Sequence, residues 1–316
     1  MITTPSPTLL WSLAALLTAL LLGSIARFIG LRNAEPAKRK QRLASLRTWW
    51  ILTLIVGCGL LAGRVGAVVL LLIAGLMAFR EYTGVLGVRK TERQAVLAGG
   101  VVAVISYLFI LFDQAAAFVV FLPLAGIGVI SLVQLLQGRA QGYILTTGGI
   151  YWGMMVVFYG MAHAAYLFIH PSFTGGPAGP AGWFLYLVIL TKANDIFQAI
   201  TGRAMGSHKK HRITPTVSPN KTWEGFFGGM VVTLGLAVLL APWLTSMSDV
   251  KGALLAGLVI AVAGFFGDIN MSAIKRDGGV KDGSNILPGM GGIIDRIDSL
   301  CFTAPAFLYL MNWWQG

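Results

Sequence analysis

Charge is scarce in this sequence. Only 11% of its 316 residues are Asp, Glu, Lys or Arg, while 56% are hydrophobic. A mean hydropathy of +0.75 excludes an ordinary soluble domain and marks a membrane composition. Cysteine is nearly absent as well. Cys58 lies inside "ILTLIVGCGLLAG" and Cys301 opens the last apolar block. Neither has a CxxC neighbour, which argues against zinc or disulfide chemistry and leaves both as packing residues. Histidines are few, and His163 and His170, seven apart on one helical face, are expected to pack rather than bind a metal. The opening "MITTPSP" has no Lys or Arg, unlike the basic start of a signal peptide, so the apolar run behind it is read as a true span. No internal repeat recurs at a fixed period.

Long apolar runs are what the chain does have. Ten segments stand out, at about 8–29, 49–62, 66–80, 95–112, 115–136, 144–169, 182–201, 225–244, 252–270 and 301–315. The second and third are short and read equally as a tilted pair or a re-entrant hairpin, which leaves totals of nine or eight open. The expected fold is all-α, a polytopic bundle of transmembrane helices. The net charge of +12 is distributed unevenly. Loops at 27–47, 80–93, 137–143, 202–224 and 271–300 carry 21 of the 24 Lys and Arg. That alternation is the positive-inside pattern, with the basic loops cytoplasmic and both termini outside. It accounts for the basic balance through topology and anionic lipid headgroups, and argues against nucleic acid as a partner.

Chemistry is concentrated in the C-terminal third. "TKANDIFQAITGR" puts Lys192, Asn194 and Asp195 among apolar neighbours, and "AGFFGDINMSAIKRD" does the same for Asp268 and Asn270. Ionisable residues inside a span are costly and mark either a function or an internal pair. On a helix, Asp268, Ser272, Lys275 and Arg276 share one face, and so do Asp295, Asp298 and Ser299. Between these faces lies the glycine-rich turn "LPGMGG", whose backbone is expected to approach a phosphate closely. In "SPNKTWEG", Ser218 and Pro219 read as the N-cap and first residue of a helix. Lys221 and Thr222 would then sit at a helix start suited to an anion. Carboxylates suit Mg²⁺, and Lys, Arg and glycine amides suit a polyphosphate. No Ser-His-Asp or zinc set is present, so phosphoryl or nucleotidyl transfer fits the inventory best.

"SAIKRDGGVKDGSNILPGMGGIIDRIDSL" (272–300) resembles the signature of the phosphatidate cytidylyltransferases, or CDP-diacylglycerol synthases: S-x-x-K-R-x4-K-D-x5-P-G-H-G-G-x-x-D-R-x-D. Ser272, Lys275, Arg276, Lys281, Asp282, Pro288, Gly289, Gly291, Gly292, Asp295, Arg296 and Asp298 fall in register. The resemblance implies attack of the phosphate of phosphatidate on the α-phosphate of CTP, giving CDP-diacylglycerol and pyrophosphate with Mg²⁺. It implies Asp268, Asp295 and Asp298 as metal ligands and catalytic residues, with Lys275, Arg276, Lys281 and Arg296 as phosphate clamps. Ser218, Lys221, Thr222, Ser272, Gly291, Gly292 and Asp195 become substrate contacts, and Asp282 a further candidate. The implied organisation is an N-terminal span and basic loop (1–48), a helical membrane region (49–181) and a catalytic membrane region (182–316). The implied setting is a bacterial inner membrane with a cytoplasmic site; CTP and an anionic phospholipid are the partners, and a homodimer is left open.

Two departures stand out. Met290 replaces the signature His, and Gln198 and Ala199 replace the family's usual Ala-Tyr between Asp195 and Gly202–Arg203. Both suggest a divergent branch. The competing readings are a CTP-dependent polyprenol-type lipid kinase, a membrane transporter, and an inactive paralogue that binds CTP or lipid.

Overall fold

The computed structural model describes residues 5–33, 35–89, 92–138, 140–205 and 211–315. Among these residues the chain forms ten helical rods and one short hairpin. The rods are α1 (Pro7–Gly30), α2 (Pro36–Leu61), α3 (Gly63–Val85), α4 (Arg93–Leu111), α5 (Ala115–Leu136), a continuous rod made of α6 (Tyr143–Gly153), a π-helical stretch (Met154–Tyr159) and α7 (Gly160–Tyr166), then α8 (Gly179–Met205), α9 (Trp223–Leu244), α10 (Val250–Asp277) and α11 (Ile294–Gln315). They correspond one for one to the ten apolar segments. The all-α expectation therefore holds.

The two short segments are full helices of 26 and 23 residues, not a re-entrant hairpin. Their lengths escaped the apolar pattern because α2 begins in the basic stretch "PAKRKQRLASLR". Pro36 suits a helix start, where a missing N–H costs nothing. Most of the basic stretch expected as loop at 27–47 is thus helical.

Eight rods are long and apolar enough to cross a membrane, with α8 and α11 outside that group. Lys192, Asn194, Asp195 and Gln198 lower the hydropathy of α8, and Asp295, Arg296 and Asp298 do so in α11. Both helices lie inside the bundle. α8 packs on α9, and α11 on α10 and α7, with Trp183, Tyr186 and Phe307 fully buried. Polar residues on such helices are shielded from lipid, where they would be costly. α1 is the opposite case: only Leu9 and Ser24 are buried, so its apolar surface is left to lipid.

A ladder of buried polar side chains fixes the register of the inner helices. Asn194 donates to the Ala261 carbonyl at 3.2 Å and accepts from Thr233 at 3.3 Å, while the hydroxyls of Thr191 and Thr303 lie 3.0 Å apart. Such bonds join helices where hydrophobic driving force is weak. His163 packs as expected, with its ring nitrogens against the Tyr159 carbonyl at 2.6 Å and the Tyr309 hydroxyl at 3.0 Å.

The hairpin pairs β1 (Arg212–Thr214) antiparallel with β2 (Ser218–Thr222). This corrects the expected helix start. Ser218 is in a strand, and Thr222 is the N-cap of α9, its hydroxyl oxygen accepting from the Gly225 amide at 3.1 Å. Thr222 has the extended backbone of a cap, and Glu224 in the first turn suits the helix dipole. Pro219 is tolerated on a two-stranded edge.

Candidate functional site

Where α8 ends and α9 begins, the hairpin folds back against α10 and encloses a cavity of about 600 Å³. That volume suits a small ligand. Asp195, Gln198, Arg203, Arg212, Lys221 and Asp268 are among its lining residues. Lys221 reaches in from β2. Its ammonium lies 2.5 Å from Asp268 Oδ2 and 3.0 Å from Gln198 Oε1, so two protein oxygens already hold a cation there. Ser272, one turn after Asp268, donates to Oδ1 at 3.5 Å. Thr222 lines the same cavity, its side-chain oxygen engaged as the α9 cap.

Behind this wall is a second ion pair. Lys192 donates to Asp195 Oδ2 at 2.9 Å, and the hydroxyl of Ser299 donates to Oδ1 at 2.9 Å. Asp298 is buried on α11, takes the Ser299 amide at 2.8 Å, and interacts electrostatically with Lys192, Asp268 and Asp195. Three carboxylates and two lysines thus share one neighbourhood. Like charges this close oppose one another unless cations intervene.

Asp295 stands apart. Its Oδ1 accepts from Lys275 at 2.7 Å, and its Oδ2 accepts from the amides of Gly292 at 3.0 Å and Gly283 at 3.1 Å. Asp295 lies ahead of the apolar run of α11. Burial alone would raise its carboxyl pKa, but Lys275 and the two amides outweigh this and hold it below the ordinary carboxylate value. One oxygen thus fixes the loop, and the other pairs with α10.

The glycines expected at a phosphate lie close against the protein's own atoms. A Cβ on Gly292 would lie 2.4 Å from Glu81 Oε2, and one on Gly291 3.1 Å from Asp295 Oδ2. Gly289 has φ +73°, and a Cβ there would meet the Gln41 carbonyl of α2 at 2.6 Å. The turn is also tied to α2 by Thr48, which donates to the Pro288 carbonyl at 2.9 Å. Glycine is required here for close packing and a left-handed turn.

The remaining expected residues scatter. Arg296 donates to the Met290 carbonyl at 2.6 Å, and its Nε is buried without an acceptor. Arg276 is exposed and ties α10 to the hairpin through the Val217 carbonyl at 3.3 Å. Lys281 and Asp282 are exposed in the loop, and Ser218 is half-buried in β2. The structure therefore brings Asp195, Lys221, Thr222, Ser272 and Asp268 together, with Asp298 behind them, and pairs Lys275 of α10 with Asp295 at the head of α11. Sequence reasoning missed Arg203 and Arg212 on the cavity wall and missed Glu81 altogether. A carboxylate directly after the apolar run at 66–80 was the available signal for Glu81.

A polytopic helical bundle with a charged cavity at one end of its apolar rods is an integral membrane protein built to receive a polar ligand. The class is set by comparison. The description "Cytidylyltransferase family" matches residues 41–314, and the chain belongs to that family. It is 36% identical to the uncharacterized protein YnbB of Escherichia coli (strain K12) over 302 residues, covering 96% of this chain and 98% of that protein. It is 38% identical over 129 residues to the phosphatidate cytidylyltransferase of Haemophilus influenzae, covering 40% of this chain and 44% of that enzyme. With the phosphatidate cytidylyltransferase of Mycobacterium bovis the identity is 36% over 130 residues, 41% of each chain. The chain thus matches less than half the length of these two relatives.

Proposed function

We propose that the protein transfers the cytidylyl group of CTP to the phosphate of an anionic membrane lipid, phosphatidate in the simplest case. An oxygen of the lipid phosphate attacks the α-phosphorus of CTP, the bond to the β-phosphate oxygen breaks, and pyrophosphate leaves. The observation that carries this reading is the cavity in which Asp195 and Asp268 face Arg203, Arg212 and Lys221. Cations of this kind hold a polyphosphate, and phosphoryl chemistry needs mainly positioning and charge neutralisation.

Mg²⁺ fits the donor set at one place. The Lys221 ammonium between Asp268 and Gln198 is a stand-in for a cation bound by hard oxygens. We assign Asp268, Asp195 and Asp298 to the ion, although among the described residues no three His, Cys, Asp or Glu groups form a ready-made cage. When bound, the ion neutralises charge on the triphosphate. Asp295, with one oxygen held by two backbone amides of the loop, serves the loop instead. Lys221, Arg203 and Arg212 orient the phosphates, and Lys192 steadies Asp195. Met290 is buried and does not line the cavity, so its replacement of His is compatible with activity.

We place the cavity at the cytoplasmic face of a bacterial inner membrane, from the distribution of Lys and Arg. The test is purified protein with radiolabelled CTP, Mg²⁺ and a panel of phospholipids. A lipid-linked CDP product supports the reading, and its absence with every lipid sinks it.

A further inference from the structure

Glu81 is a buried carboxylate that belongs neither to the cavity nor to the signature. Glu81 lies on α3, only 5% exposed, yet it meets a segment more than 200 positions away in sequence. Its Oε1 accepts from the Ser284 hydroxyl at 2.6 Å and the Ile293 amide at 3.1 Å, and its Oε2 accepts from the Ile294 amide at 2.9 Å. Ile294 is the first residue of α11. Glu81 therefore fills, from another helix, the anion position that the free amides of a helix start create. Gly292 is bare where the carboxylate passes, since a Cβ would lie 2.4 Å from Oε2.

The two ends of the loop are thereby fixed by two acids. Glu81 holds Ser284 and the head of α11, while Asp295 holds Gly283 and Gly292 and pairs with Lys275 of α10. The start of α11 determines where Asp298 and Ser299 lie one turn later, and Ser299 is the hydroxyl that steadies Asp195. A continuous run of hydrogen bonds and helix thus leads from α3 to the cavity wall.

We propose that Glu81 is a positioning residue for the reaction: by capping α11 from α3, it sets the register in which Asp298 and Ser299 meet Asp195. This rests on the cytidylyl-transfer reading. It predicts a particular division of effects, because Glu81 lines no part of the cavity.

The test combines steady-state kinetics with hydrogen exchange on full-length protein in nanodiscs. Glu81→Gln should keep the KM for CTP within about threefold while kcat falls at least about tenfold, as expected for a displaced constellation. Amides of residues 283–296 should exchange faster, and those lining the cavity on α9 should not. Gly292→Ala, which crowds the carboxylate from the loop side, should give the same pattern, and the double variant should be no worse than the more impaired single. Normal kcat and normal protection in Glu81→Gln would overturn the proposal, as would a raised KM with unchanged kcat. Should Glu81→Gln fail to fold, normal kcat and protection in Gly292→Ala would overturn it. If wild type makes no lipid-linked CDP, the cytidylyl-transfer reading fails and the reaction role falls with it; exchange then still decides whether Glu81 holds the loop.

Discussion

Two groups of carboxylates in this bundle differ in what satisfies them. Asp295 and Glu81 accept mainly from backbone amides, with Lys275 and Ser284 as the only side-chain donors among the described residues. Asp195 and Asp268 are held by ammoniums and hydroxyls, from Lys192, Ser299, Lys221 and Ser272. A backbone amide cannot be exchanged for a substrate without unfolding the loop. A lysine ammonium on a flexible stem can give way to a metal ion or move onto a phosphate. On the cytidylyl-transfer proposal the first group is architecture, and the second is available for chemistry. The glycine-rich signature supplies Asp295 to the first group and only the Ser272 and Ser299 hydroxyls to the second, so register alone does not assign its charges a role.

The largest effect should come from the cavity group. Asp268→Asn keeps the shape of the side chain and removes its charge, so turnover should fall at least about a hundredfold with melting close to wild type. A melting loss as large as that of a loop variant would erase the distinction between the groups. Next comes Asp295→Asn. It removes the charge from a site with three donors, and such hydrogen bonds are worth about 1.5–3 kcal/mol each. Thermal melting should show a clear drop, with activity falling alongside it. Unchanged melting with lost turnover would move Asp295 into the chemical group.

A pH series sharpens the same contrast. The Asp295 carboxyl is held below its ordinary value, so its contribution to stability is complete above the unfolded value, near 3.9. That contribution is lost as pH falls through the lower folded value. The melting difference between wild type and Asp295→Asn should be constant from neutral pH down to about 5 and shrink below about 4. A difference that disappears near neutrality would point to another group. The smallest effect is expected at Met290. Met290→His places a polar ring where a buried thioether packs, costing about 1–3 kcal/mol of stability, with phosphatidate use changed by less than about tenfold. A larger gain in activity would bring residue 290 into the substrate's reach.

Much of the fold was legible in the apolar runs. Ten segments became ten rods because span-length hydrophobicity is a local property. The face shared by Asp268 and Ser272 was legible too, since helical periodicity alone brings them together. The boundaries of α2 were not, because its first turns are basic and lie outside the apolar pattern. The Ser218 cap failed because Ser-Pro suits a strand edge as well as a helix start, and Thr222 offers the same chemistry four residues later. Glu81 was hidden by distance: nothing local links it to Ser284, 203 positions away. The glycines are ambiguous for a related reason. Their bareness signals a close approach, but the sequence does not say whether a phosphate or the protein's own carboxylate comes close.

On the proposed function, the cavity carboxylates, and not the loop carboxylates, serve a metal-assisted cytidylyl transfer. The most direct measurement is the Mg²⁺ dependence of lipid-linked CDP formation from radiolabelled CTP, with wild type and Asp268→Asn side by side. Product should require a divalent ion in wild type and fall at least about a hundredfold in Asp268→Asn. Equal product from both proteins at every Mg²⁺ concentration, or full activity of wild type with the metal chelated, would contradict the proposed function.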